Sequence, residues 1–380
     1  MPNPDAIVAR RIAFEPALER TPVELLEADG GLTVVLDGER RIALDPKDPR
    51  SVGFVEILDG LRELRRPVYL EVDPATSAIT RLVIPLVGHV VAIHTTEPGV
   101  LQVELDTSQA VHRLRLGGPD SGDLEARLRE ALDRTRPVIL IDDDAHEIFD
   151  VRDFTPGPDD GPLPPFPRPK LPPRLPWPLP LLWKWLHRIW WWPYWPWWWF
   201  NTCSLKHAQW LFDTMKATNC DPSSAPAPCI PFMYPDNGCW ARASEMCRLM
   251  ANMGEASRKV WITRSPAKPL HATTRNHPQC FIEWYWHVAP TILVRGPWFF
   301  LLRRMVIDPS LATGPLTESG WRLLMQDATA TLVDTDASQY SYGGGTDPAY
   351  AQTNTDLQTH RLLLKARSLQ IGPPPYANCP

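Results

Sequence analysis

The sequence predicts an α+β protein made of two folded regions joined by a proline- and tryptophan-rich linker. Three observations carry this. Residues 1 to 152 read as short alternating strands around two helical stretches and contain neither Cys nor Trp. All seven cysteines lie after position 200. Ten of the 17 tryptophans fall between Trp177 and Trp199, in a stretch crowded with proline. The chain has 380 residues, enough for two domains with cores of their own. We therefore expect domains over 1–152 and 201–380, with a linker over 153–200.

In the first region, alternation places strands at Leu32–Leu36, Val68–Val72 and Leu101–Leu105. Gly31-Leu32-Thr33-Val34-Val35-Leu36-Asp37 is similar to Gly99-Val100-Leu101-Gln102-Val103-Glu104-Leu105-Asp106, and Arg66-Pro67-Val68-Tyr69-Leu70 to Arg136-Pro137-Val138-Ile139-Leu140. Helical spacing precedes both members of the second pair, at Val55–Arg65 and Leu124–Arg134. The expectation is two tandem ββαββ units. His89, His94 and His112 are scattered through this region and form no catalytic constellation.

The linker cannot continue a helix or sheet from Pro156 to Pro180, because proline lacks the amide donor and fixes φ; polyproline II is its natural state. Trp183–Phe200 is too short, and too broken by Pro193 and Pro196, for a transmembrane helix. Its indoles, with Lys184, His187 and Arg188, suit either a membrane–water interface or packing on a protein surface.

In the second region, Pro235 to Gly238 reads as a turn that runs into a helix from Cys239 to Met253. Ala243, Met246, Cys247 and Met250 share its core face. Cys239 thus opens a helix, where free amides and the dipole favour a thiolate and can receive an oxyanion, with Asp236 or Asn237 as cap. Phe281 to Val294 is aromatic and β-branched and reads as a strand bearing His287; Trp298 to Asp308 is its return strand after a turn at Arg295-Gly296-Pro297. The hairpin sets His287 opposite residue 306 or 308, so Asp308 lies directly across or one diagonal away. A carboxylate can then hold the imidazole, and the imidazole can face the thiol: a Cys239–His287–Asp308 site.

Gly238-Cys239-Trp240-Ala241-Arg242-Ala243, Trp286-His287-Val288-Ala289-Pro290 and Val306-Ile307-Asp308-Pro309-Ser310-Leu311 together resemble the protein-glutaminase (protein-glutamine deamidase) domain family. Ile230-Pro231-Phe232, Leu316 and Trp321 extend the likeness, which covers about Ser204 to Gln326. The resemblance implies a papain/transglutaminase-like catalytic fold and the order Cys, His, Asp. It implies deamidation of protein-bound glutamine through a thioester, on a protein or peptide substrate. Transglutaminase or cysteine protease chemistry on the same three residues, and a non-enzymatic membrane- or protein-binding scaffold, are the alternatives.

No metal and no organic cofactor is expected. Cys220, Cys229, His271, His277 and Cys280 raise a zinc reading, but their spacing matches no common finger, and a Cys220–Cys229 disulfide or simple burial explains the thiols better. Cys247 reads as inert packing. The net charge of -5, with no basic stripe, argues against a nucleic-acid partner. Met1 to Arg11 lacks the apolar run of a signal peptide, which points to the cytoplasm and leaves signal-independent export or peripheral membrane association open.

Overall fold

The computed structural model describes residues 6–15, 23, 32–157, 203–266, 268–295 and 302–380. The tryptophan-rich stretch and the expected turn at Gly296-Pro297 lie outside the described residues. The fold mixes α-helices with antiparallel sheets.

The first region opens with two small sheets. Ile12–Glu15, Leu32–Leu36 and Arg40–Leu44 form one; Ile7–Ala9, Val68–Val72 and Ile79–Val83 form the other. Helix Ser51–Leu64 buries Phe54, Val55, Ile57, Leu58 and Leu61 against both. A five-stranded sheet follows in the order Ile148–Asp153, Pro137–Asp142, Leu86–Glu97, Val100–Leu105, His112–Arg115, covered by helix Ser121–Arg134 through Leu124, Leu128 and Ala131. Each helix has 14 residues and stops on a left-handed residue, Arg65 and Thr135, whose amide closes the last turn.

The second region centres on a five-stranded antiparallel sheet, ordered Leu316–Thr317, Leu302–Val306, Trp286–Arg295, Arg258–Thr263, Thr331–Asp336. Helix Cys239–Asn252 packs on its central strand, and Ala243, Met246, Cys247 and Met250 are buried as their spacing requires. The aromatic stretch expected as one strand divides at Tyr285: Phe281–Trp284 pairs with Leu270–Thr273 instead. The division has a physical origin, because the amide of Tyr285 is taken by the carbonyl of Gln109 from the first region.

Helix Ala351–Ile371 joins the two regions. Leu357 contributes to the core under Cys239, while Leu362, Leu363, Ala366 and Leu369 complete the core of helix Ser51–Leu64. The helices approach closely because Gly60 has no side chain; a Cβ there would stand 2.9 Å from Leu362 Cδ1. Gln370 bonds both the amide and the carbonyl of Leu82, and Lys365 pairs with Glu56. Disulfides Cys220–Cys229 and Cys280–Cys379 staple surface turns, leaving Cys203, Cys239 and Cys247 as free thiols.

Candidate active site

Cys239 is the first residue of its helix and is only 1% exposed. Neither Asp236 nor Asn237 caps that helix, contrary to the expectation. The N-cap is Gly238, in the left-handed region at φ 78°, and no side chain bonds the first turn as a cap. Asn237 Oδ1 accepts instead from the amides of Gly238 and Gln109, so the amide of Cys239 stays available. Gly238 is required for space as well as for φ, since a Cβ would lie 2.5 Å from the ring of His360.

The hairpin register sets Thr291 against Val306 and Arg295 against Leu302. Continued toward His287, that register places Asp308 on the diagonal, just beyond the end of its strand. His287 Nε2 meets Asp308 Oδ2 at 3.0 Å, and both side chains are buried. Trp321 Nε1 donates to the same carboxylate oxygen at 2.9 Å, and Trp284 stacks on the imidazole at 4.7 Å between centroids. The ring is thus fixed from three sides. Burial pushes the Asp308 carboxyl up, but His287, the Trp321 indole and Arg242 outweigh it and hold the group below its ordinary range. With the Nε2 proton directed at Asp308, Nδ1 is an acceptor facing the pocket.

Cys239 and His287 converge on a third side chain that the sequence did not flag. Gln109 comes from the segment between strands Val100–Leu105 and His112–Arg115 and is fully buried. Its Oε1 accepts from the amide of Cys239 at 3.3 Å, and its Nε2 stands 3.5 Å from His287 Nδ1. The backbone around it is held as an added strand. Tyr285 donates to the Gln109 carbonyl at 2.9 Å, Val111 donates to the Glu283 carbonyl at 3.1 Å, and Ala110 bridges Trp284 in antiparallel sense. His112 stiffens this segment, with Nε2 2.8 Å from Ser108 Oγ and Nδ1 2.8 Å from Asp142.

A helix start favours a thiolate, yet here burial dominates: the Cys239 thiol is pushed up to about 12, and the attraction of Arg242 does not offset the loss of water. Arg242 is itself buried and donates to the carbonyls of Tyr234 at 2.9 Å and Asn237 at 2.5 Å, which fixes the loop before the thiol. Asp236 anchors the same loop. Arg367 from the long helix grips it with two bonds, 2.8 Å to Oδ2 and 2.6 Å to Oδ1. Sequence reasoning missed Gln109, Asp236 and Arg367 as a group, because their partners lie more than a hundred residues away and no local pattern marks them.

Among the described residues, two sets of side chains have the spacing to hold a cation, His112–Asp142–His146 and His146–Asp236–His277. In both, the carboxylate is already engaged: Asp142 by the Nδ1 atoms of His112 and His146, Asp236 by the Arg367 fork. The five residues that raise a zinc reading do not assemble, since Cys220, Cys229 and Cys280 are in disulfides.

Residues 208–325 match the family model described as Glutaminase. This stretch is a glutaminase-family domain. It spans helix Cys239–Asn252, His287 and Asp308. Among solved structures, the chain is similar to pro-protein-glutaminase, at 21% identity with a TM-score of 0.48, covering 73% of this chain and 92% of that one. It is also similar to protein-glutaminase, at 27% identity and a TM-score of 0.37, over 43% of this chain and 90% of that one. Protein-glutaminase from Chryseobacterium proteolyticum, solved by NMR, gives 27% and 0.38 over 47% of this chain and 97% of that one. No curated protein sequence matches the chain. The matched stretch ends before helix Ala351–Ile371, and Gln109 lies outside it.

Proposed function

We propose that the chain is a cysteine amidohydrolase that converts protein-bound glutamine to glutamate and releases ammonia. The observation that carries this reading is a glutamine carboxamide held with its oxygen on the Cys239 amide and its nitrogen against His287. Those are the positions of an oxyanion donor and of a proton donor to leaving ammonia. The Cys239 thiol gives its proton to His287 and attacks the amide carbon. The oxygen gathers charge on the Cys239 N–H, and His287 returns the proton to the departing nitrogen. Water, activated by His287, then resolves the thioester to glutamate. Asp308 orients the imidazole and stabilises its charged form. The helix set against an antiparallel sheet acts as the papain/transglutaminase-like core of this site. The two ββαββ units of 1–152 act as a cover, because Gln109 occupies the place of substrate.

Two disulfides among the described residues fit an oxidising compartment better than the cytoplasm, so we favour a location outside the cytoplasm. Trp183–Phe200 is the candidate docking segment for a membrane interface or a protein. Liposome co-sedimentation of the full chain, against a variant with Trp190 to Trp192 changed to Ser, separates the two.

The deciding experiment is ammonia release from a glutamine-bearing unfolded protein by the Gln109→Ala chain, in which the carboxamide is removed from the site. Release by Gln109→Ala, its loss when Cys239→Ala is added, and no cross-linked product are the expected results. Release that survives Cys239→Ala ends the reading. Cross-linking to lysine would instead favour a transglutaminase.

A further inference from the structure

We propose that this chain is its own first substrate: Cys239 and His287 convert Gln109 to glutamate within the same molecule. This rests on the reading of Cys239 as the nucleophile and goes beyond it by naming a substrate residue. The geometry assigns Gln109 rather than any neighbour. Gln102, on the preceding strand, pairs with Arg113 and His94 within the first region, away from the site. Gln109 is delivered by a backbone fastened on both sides. Its amide donates to Asn237 Oδ1 at 3.3 Å, its carbonyl accepts from Tyr285 at 2.9 Å, and the next two residues continue the pairing with Trp284 and Glu283. A second tether, the Arg113–Glu283 ion pair, fixes the register of that added strand. Such anchoring turns a bimolecular encounter into an intramolecular one, which raises effective concentration steeply.

The step balances without any co-reactant except water. The S–H proton moves to His287 Nδ1, the Sγ–Cδ bond forms, and the carbonyl electrons shift to Oε1 on the Cys239 amide. The Cδ–Nε2 bond then breaks as the His287 proton passes to nitrogen, giving ammonia and a Cys239–Gln109 thioester. Water adds to Cδ, the Sγ–Cδ bond breaks as one water proton passes through His287 to sulfur, the other is lost from the new acid, and a glutamate side chain is left at position 109 beside a free thiol. Burial holds the thiol in its protonated form, so the closed molecule performs this turnover slowly. The change is a covalent record of catalytic competence. The product carboxylate is acceptor-only and has lost the N–H that faced His287.

The test is peptide mass spectrometry on the full chain, aged after purification in ¹⁸O-water, beside the Cys239→Ala full chain. The expected result is Gln109 converted to the acid with one heavy oxygen in the parent, Gln102 still an amide, and conversion lost in Cys239→Ala. A hydroxylamine-sensitive link between the Cys239 and Gln109 peptides, lighter by one ammonia, supports the proposal equally, since it is the intermediate. Equal conversion in both chains overturns it, because the reaction is then spontaneous. An intact Gln109 in the parent overturns it too. In that case ammonia release from added casein by the Gln109→Ala chain decides whether the amidohydrolase reading survives alone or falls with it.

Discussion

Arg367→Gln is the most informative single perturbation of this fold. Asp236 is 0% exposed and its charge is met chiefly by the Arg367 guanidinium, which is itself 4% exposed and lies 4.5 Å over the ring of Tyr234. Removing one partner of a buried ion pair costs about 3–5 kcal/mol, since the remaining charge has no water to return to. His146 Nε2 at 3.4 Å and His277 Nε2 at 3.3 Å from Asp236 Oδ1 offset part of this. The contact of Arg367 with Asp144 adds little, because that carboxylate is 43% exposed. The expected loss therefore sits near the low end, about 3 kcal/mol, or on the order of 10 °C in melting temperature. Thermal unfolding followed by circular dichroism measures it. Asp236→Asn combined with Arg367→Gln should recover part of the loss, because the stranded charge is gone. An Arg367→Gln chain that melts with the parent would refute the claim that the loop before Cys239 hangs on this pair.

Four further outcomes follow from the same contacts. Asp308→Asn should fold, keep its Trp321 contact and retain a crippled rate of ammonia release, about 10⁴-fold down if the imidazole takes the wrong tautomer; a rate equal to the parent would remove Asp308 from the mechanism. Gly238→Ala should destabilise the chain by about 1–3 kcal/mol through the left-handed backbone alone, so a His360→Ala partner should relieve the clash and leave the strain, as paired melting curves would show. His146 loses water on burial, yet bonds to Asp142 and Asp236 outweigh that and raise it to about 9, with His112, His277 and Arg367 the other groups around it. Its folded value lies above its unfolded one, so its stabilisation is full below about pH 6.5 and fades as pH climbs to about 9; the parent should lose melting temperature across that window and His146→Gln should not. Iodoacetamide at neutral pH should spare Cys239 in the native full chain and label it in Gln109→Ala, as peptide mapping would report; fast labelling of the native chain would mean the cover is open in solution.

The readable part of this molecule was the part written in short-range pattern. Helix Cys239–Asn252 was visible because good helix formers follow a turn, and the burial of Ala243, Met246 and Met250 follows from their spacing. His287 and Asp308 were placed together by hairpin arithmetic. The finer register was not, because the turn length could not be read and Asp308 sits past the last ladder pair. The division of the aromatic strand at Tyr285 was invisible, since its cause is a carbonyl from Gln109. Gln109 itself is an unremarkable residue in Ser108-Gln109-Ala110; only the meeting of two regions gives it a role. The thiolate expected at the helix start does not hold, because burial raises the Cys239 thiol, and the contact with Gln109, 130 residues away, has no local signal.

The long helix Ala351–Ile371 has a consequence for the order in which the molecule can be made. Leu82 finds its partner Gln370 only after 288 further residues have left the ribosome, and helix Ser51–Leu64 waits as long for Leu362 and Leu369. Until then that face of the first region is apolar and bare, a condition that invites a chaperone or a wrong neighbour. The loop before Cys239 waits for the same event, because Arg367 arrives on the same helix. The loop before Cys239 therefore stays unassembled until helix Ala351–Ile371 is present, and a chain released early lacks both the packing on the first region and the Asp236–Arg367 pair.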